Sequence, residues 1–236
     1  MTATFGMFVK YPEPGRVKTR LAAAIGDSAA AVLYSGFLSD LIQRFGTTGT
    51  RRVLAYSPAD PVSREFFERQ SAGRFELWPQ PDADLGTRMR LFFEAFGPEP
   101  VVLIGSDSPT LPTETPQFAL SLLQNQDADV VLGPSTDGGL YLIGLNQQRQ
   151  TWPIFDGINW STSRVLDQVV RRLQRSRARL KVLPLWYDID EPADLDFLRG
   201  HLSALPFSLE GPLPDVPATR AALELLPGLD VLADGR

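Results

Sequence analysis

"PVVLIGSDSP" (residues 100–109) decides the architecture. A run of branched apolar residues without polar alternation is the pattern of a strand buried on both faces, and such strands belong to parallel sheets. The polar residues that follow mark the strand's C-terminal end and place Asp107 there. Outward from this strand, the patterns alternate. The segments 3–9, 51–57, 75–80, 100–108, 128–135, 139–145 and 181–189 read as strands. Helical patterns cover Val17 to about Phe45, with a break at Gly26-Asp27, then 61–70, 86–96, 114–124, 161–175 and 192–202. This order predicts one α/β domain over residues 1–204, a mostly parallel sheet with helices on both faces. The close pair at 130–134 and 139–145 breaks the alternation and admits an antiparallel strand. Residues 205–236 form a proline-rich C-terminal extension with a helical candidate at 217–226, and the sequence leaves open whether it wraps the core or frays.

The 236 residues, 43% of them hydrophobic, suffice for one sizeable α/β core or two small domains. A net charge of −5 argues against a nucleic-acid partner, so a bound anion needs local cations, backbone amides or a metal. The chain has no cysteine, which removes disulfides, thiolate zinc sites and thiol nucleophiles. His201 is the only histidine, and no nucleophile-elbow pattern accompanies it, so it reads as a surface or boundary residue. The first residues lack a signal-peptide layout and no apolar run is long enough to span a bilayer, so a cytoplasmic location without a membrane partner is expected.

Ligands of open parallel sheets collect at the C-terminal ends of the strands, and the candidate residues all lie at such ends. After the first strand, "KYPEPGRVKTRL" (10–21) gathers Gly15, Arg16, Lys18 and Arg20 before a helical pattern. Cations at a helix start oppose the macrodipole unless an anion binds there, so the loop reads as a phosphate cradle in which Lys18 and Arg20 reach phosphate rather than pack; a solvated basic helix start is the alternative. Asp107, and Asp188 and Asp190 in "YDIDEP" (187–192), are oxygen ligands suited to Mg²⁺ or Mn²⁺ shared with substrate phosphates. Either of the first and last could instead cap the next turn or helix. In "PSTDGGLYLIGL" (134–145), Asp137 is a candidate acceptor contact or base, with Gly138 and Gly139 allowing close approach; a plain Asp-Gly hairpin is the alternative. In "DLGTRM" (84–89), Gly86 and Arg88 are candidates for nucleotide contact, and Gly86 could equally just start a helix.

Taken in order, "KYPEPGRVKTRL", "DLGTRM", "IGSDSPTLP", "GPSTDGGLYLIGL", "FDGINWST" and "DIDEPADL" resemble a family of small bacterial glycosyltransferase-like proteins. That family was long filed as a domain of unknown function and is labelled transferase 1 of a radical-SAM or selenodomain-associated system, linked to arsenosugar synthesis. The resemblance runs from about residue 3 to 200. It implies the nucleotide-diphospho-sugar transferase superfamily, a single-domain glycosyltransferase-A type Rossmann-like fold, and distant kinship with 2-phospholactate and molybdenum-cofactor guanylyltransferases. It also implies that Gly15, Lys18 and Arg20 stand where nucleotide phosphates are held, Asp107 at the metal-binding aspartate, and Asp188 and Asp190 at an acidic pair. "PEPGRVKTR" replaces the glycine-rich loop of typical nucleotidyltransferases, and "SDS" replaces a DxD. The expectation is a transferase using a nucleotide-activated donor, a sugar nucleotide first and an NTP second, with a small-molecule acceptor. A catalytically silent nucleotide-binding accessory protein is the third reading, and oligomeric state is not legible.

Overall fold

The computed structural model describes residues 2–146, 154–207 and 214–226. Its centre is a seven-stranded sheet ordered β3-β2-β1-β4-β6-β5-β7. The strands are β1 (Thr4–Lys10), β2 (Arg51–Ser57), β3 (Glu76–Pro79), β4 (Val101–Ile104), β5 (Val130–Pro134), β6 (Leu140–Leu145) and β7 (Leu180–Val182). β6 runs antiparallel to both β4 and β5, while the other pairings are parallel. The irregular spacing around 134–140 thus does encode the one reversed strand among the described residues. Val101, Val102, Leu103 and Ile104 are all buried, as an unbroken apolar run requires between two layers of helices.

One face of the sheet packs on α1 (Thr19–Ile25), α2 (Asp27–Arg44), α3 (Pro61–Ser71), α5 (Glu114–Gln124) and α7 (Pro192–Ala204), with Phe5, Phe37, Phe45 and Leu120 among its core. The other face packs on α4 (Leu85–Phe96) and α6 (Val165–Ser176), through Phe92, Phe93, Ile154 and Val169. The break expected at Gly26-Asp27 is real: Gly26 has φ +86 and separates α1 from α2.

The strand expected at 181–189 is shortened to Leu180–Val182. Leu183 N–H still donates to Leu132 O, but Pro184 has no N–H to continue the ladder. Beyond it the chain stays extended and bonds intermittently, Trp186 N–H to Pro134 O and Ile189 N–H to Asp107 O. This oblique run carries residues 188–190 from the edge of β5 across to the end of β4.

The described part of the C-terminal extension wraps the core. α8 (Pro217–Glu224) lies across α2, and Val216, Ala222 and Leu226 join the main apolar cluster. Asp40 on α2 accepts hydrogen bonds from Ala218 N–H at 3.0 Å and Thr219 N–H at 2.7 Å, so a side chain from another helix satisfies the start of α8. Asp40→Ala should cost about 1–2 kcal/mol, the range for losing a cap. Hydrogen exchange should show the added opening confined to residues 214–226, and uniform exchange along the chain would refute this latch.

Candidate functional site

Two cavities open side by side at the C-terminal ends of the strands. The first, about 330 Å³, lies over β1, β2, β3 and β4 and is bordered by Lys10, Arg16, Ser57, Gln80, Arg88 and Ser106. The second, about 370 Å³, lies over β4, β6 and β5 and is bordered by Arg20, Asp137, Gly139, Trp160, Thr162 and Asp188. Lys18, Thr19, Asp107 and Asp190 border both.

The shared wall is an ion-paired bridge. Lys18 Nζ donates to Asp107 Oδ1 at 2.5 Å and to Asp190 Oδ1 at 2.9 Å. The Lys18 side chain is 2% exposed, against 44% for each aspartate, and its ammonium sits near the rings of Tyr34 and Phe37. Burial alone would push the Lys18 ammonium below its ordinary value, but the two carboxylates outweigh it and hold the group above that value, fully charged at neutral pH. The backbone is specialised to aim it: Lys18 has φ +48, a left-handed conformation that a side-chain-bearing residue adopts only when its surroundings enforce it. Gly15, at φ +75, makes the preceding turn, and Lys10 Nζ closes the loop on Arg16 O at 2.6 Å.

The three cations of the first loop therefore divide. Lys18 does not reach outward as expected for a phosphate arm; it is packed in the wall between the cavities. Arg16 faces the first cavity and Arg20 the second, and both are largely exposed, paired with Glu13 at 3.8 Å and Glu191 at 3.5 Å. Gly15 borders neither cavity, its role being the turn.

Asp188, Ile189 and Asp190 alternate as a strand would: Ile189 is fully buried, while both aspartates border the second cavity. Asp188 accepts a hydrogen bond from Ser108 Oγ at 2.5 Å. Its carboxyl is pushed up to about 6, chiefly by burial and further by the charges of Asp107, Asp190 and Asp137, with the Ser108 bond opposing. The three aspartates expected to hold a metal are thus neighbours, but Lys18 stands between two of them. Among the described residues no three acidic or histidine side chains are grouped closely enough to bind a metal ion by themselves.

Asp137 is both a turn residue and a cavity residue. Its Oδ1 accepts from Ser135 Oγ at 2.5 Å and Gly139 N–H at 2.8 Å, which is the hairpin role. Gly138, at φ +87, presses against the Ser163 carbonyl, where a Cβ would collide, so it serves packing of the turn rather than close approach of a ligand. Gly139 borders the second cavity.

Gly86, expected near the nucleotide, is instead buried under Trp160: a Cβ there would overlap the indole nitrogen, which donates to Phe155 O at 3.2 Å. "DLGTRM" and "FDGINWST" therefore meet in space. Arg88 does border the first cavity, its Nε bonded to Ala83 O at 2.5 Å and its Nη1 3.5 Å from Gln80 Oε1. Gln80 and Ser106 are site residues that the sequence reading passed over. Gln80 stands immediately after β3 and Ser106 two residues after β4, the positional signal that picked out Asp107, but neither is charged. His201 Nδ1 lies 2.6 Å from Tyr187 Oη, its titration is lowered by burial, and it borders neither cavity, in keeping with a boundary residue.

The comparisons with known proteins agree with this fold. A family model described as "Uncharacterized protein conserved in bacteria (DUF2064)" matches residues 41–162. A crystal structure from Desulfovibrio desulfuricans G20, provisionally named as a nucleotide-diphospho-sugar transferase, is 36% identical, with a TM-score of 0.83 over 95% of each chain. The 2-phospho-L-lactate guanylyltransferase of Methanopyrus kandleri is 27% identical over 79% of this chain and 87% of its own length. The 3-phospho-D-glycerate guanylyltransferase of Phenylobacterium zucineum is 28% identical over 78% and 84%. The fold expectation and the transferase class both hold. The names of these relatives bring no support for the arsenosugar or radical-SAM association, and they favour nucleotidyl over sugar transfer.

Proposed function

The chain belongs to the DUF2064 family, and from that premise we propose that it is a nucleotidyltransferase, joining an NTP to a phosphorylated small molecule with release of pyrophosphate. The observation that carries this reading is the pair of cavities divided by the Lys18–Asp107–Asp190 bridge, one for each substrate of a two-substrate transfer. The NTP occupies the cavity over β1 to β4, with Arg16 and Arg88 at its phosphates and polar edge. The acceptor enters the cavity over β5 and β6. An acceptor phosphate oxygen bonds to the α-phosphorus as the α–β bridging bond breaks, and pyrophosphate leaves.

Charge builds on the transferring phosphoryl group, and fixed cations at that point are the usual source of rate enhancement. Lys18 has three N–H donors, two of them engaged by Asp107 and Asp190, which leaves one for a phosphate oxygen at the boundary. The aspartates hold the ammonium in place rather than acting as bases. The donor set fits Mg²⁺ or Mn²⁺ in the manner of one or two carboxylates completed by substrate phosphates and water, with no all-protein cage. Asp107 and Asp190 give only Oδ1 to Lys18, which leaves the Oδ2 of one or both to share the ion with substrate phosphates and water, the Asp188 charge lying nearby. Such an ion, when bound, supplies neutralisation of the NTP phosphates.

Sugar transfer is the second reading, favoured by the name of the 36% identical structure. Product analysis separates the two. The protein, with Mg²⁺ or Mn²⁺, is given each NTP with a pool of phosphorylated acceptors, then each sugar nucleotide with the same pool. Metal- and acceptor-dependent pyrophosphate from an NTP, GTP first among them, is the expected result. A nucleoside diphosphate from a sugar nucleotide, with no pyrophosphate from any NTP, would overturn it.

A further inference from the structure

The acceptor cavity carries more chemistry than transfer needs. Trp160 stacks on Phe155 with ring centroids 6.4 Å apart, lies against the bare face of Gly86, and borders the cavity. The Asp137 turn docks on the same segment, since Leu166 N–H donates to Gly138 O at 3.1 Å. Four carboxylates, Asp107, Asp137, Asp188 and Asp190, border this cavity. Lys18 and Arg20 are the cations among its described lining residues, and Lys18 already serves two aspartates. Three backbone amides at the start of α6 are also engaged: Arg164 N–H and Val165 N–H bond to Thr162 and Leu166 N–H to Gly138. With one phosphate group held at the Lys18 and Arg20 end, and any divalent ion shared by that phosphate with Asp107 and Asp190, no cationic side chain of the described lining remains for a second anion, and the Asp137 carboxylate would repel it. Like charges juxtaposed in a site reject the wrong ligand.

Resting on the nucleotidyl-transfer reading, we propose that the acceptor is the phosphate ester of an uncharged polyol, packed on Trp160 and donating hydroxyls to Asp137, and that phosphorylated carboxylic acids are excluded. Asp137 Oδ1 is occupied by Ser135 and Gly139, which leaves Oδ2 as the hydroxyl acceptor. An apolar aromatic wall with a few placed polar groups is the ordinary build of a small-ligand site. A site made to accept from a hydroxyl discriminates strongly against analogues that cannot supply it.

Glycerol 3-phosphate and 3-phosphoglycerate form a matched pair of probes, differing only in a hydroxymethyl group against a carboxylate. Both are titrated calorimetrically into the full chain with Mg²⁺, and both are compared as acceptors by kcat/KM for pyrophosphate release. The expected preference for glycerol 3-phosphate is at least tenfold in each measurement. Asp137→Asn, which keeps the Oδ1 acceptor of the turn and removes the charge, should shrink that preference at least threefold. Trp160→Ala should weaken glycerol 3-phosphate and hexose 1-phosphate about tenfold while leaving inorganic phosphate unchanged. Equal or tighter binding of 3-phosphoglycerate, a preference unmoved by Asp137→Asn, or no binding of either probe would overturn the proposal. NTP titrations run alongside report on the parent reading separately, because acceptor binding is read without turnover.

Discussion

Replacing Lys18 by methionine is expected to lower pyrophosphate release by about 10²–10³-fold, the usual loss when one fixed donor to developing charge is removed. The ammonium is buried and double-paired, so water cannot substitute for it. Lys18→Arg should not rescue, because the planar guanidinium cannot occupy a pocket shaped for a compact ammonium in the left-handed backbone of residue 18. Stability should fall by only about 1 kcal/mol, since Asp107 and Asp190 are each 44% exposed and solvent screens the charges left behind. Arg20→Ala, on an exposed rim, should cost no more than about tenfold, corresponding to roughly 1.4 kcal/mol. Steady-state kinetics and urea denaturation of the three variants check this. Retention of more than a tenth of the turnover by Lys18→Met would show that the bridge is a structural brace and the phosphate is held elsewhere.

Asp188→Asn is expected to stabilise the metal-free protein by on the order of 3 kcal/mol at pH 8. The native carboxyl titrates at about 6, raised from 3.8 first by burial and then by three neighbouring aspartates. Its proton is therefore bound more tightly in the folded chain than in the unfolded one. Stability consequently falls as pH rises from about 4 through about 6 and is lowest once the folded carboxyl is ionised. Asparagine keeps an acceptor for Ser108 Oγ without the charge, so the gain should be full at pH 8 and vanish near pH 4. Paired urea titrations in EDTA at the two pH values report on this group and the three aspartates coupled to it, because titrations elsewhere cancel between variant and parent. A pH-independent difference would mean that Asp188 is not held neutral by its surroundings. The same substitution should weaken Mg²⁺ binding, which makes the residue a case where local stability is lower so that a cation can be held.

The α/β alternation, the buried strand at 101–104 and the location of the polar residues at strand ends were legible from the sequence, as was a break in the alternation at 130–145, though not that β6 is the strand reversed there. Each follows from local physics: apolar runs, periodicity and turn residues report on burial and direction over a few residues. Asp107 could be placed at a strand's C-terminal end for that reason alone. The partnerships were not legible. Lys18 lies 89 residues from Asp107 and 172 from Asp190, and only the parallel sheet order, with the oblique run past Pro184, sets the three side chains together. Sequence position suggested an outward-facing cation, whereas tertiary burial made it the internal counter-charge of two carboxylates. Likewise Gly86 carries no local sign that Trp160 will lie on it; a missing Cβ becomes informative only when the other surface is known. Charge type and strand ends were written in the chain, but which charge neutralises which was decided by the fold, because electrostatic pairing depends on distance in space and on the water that burial removes.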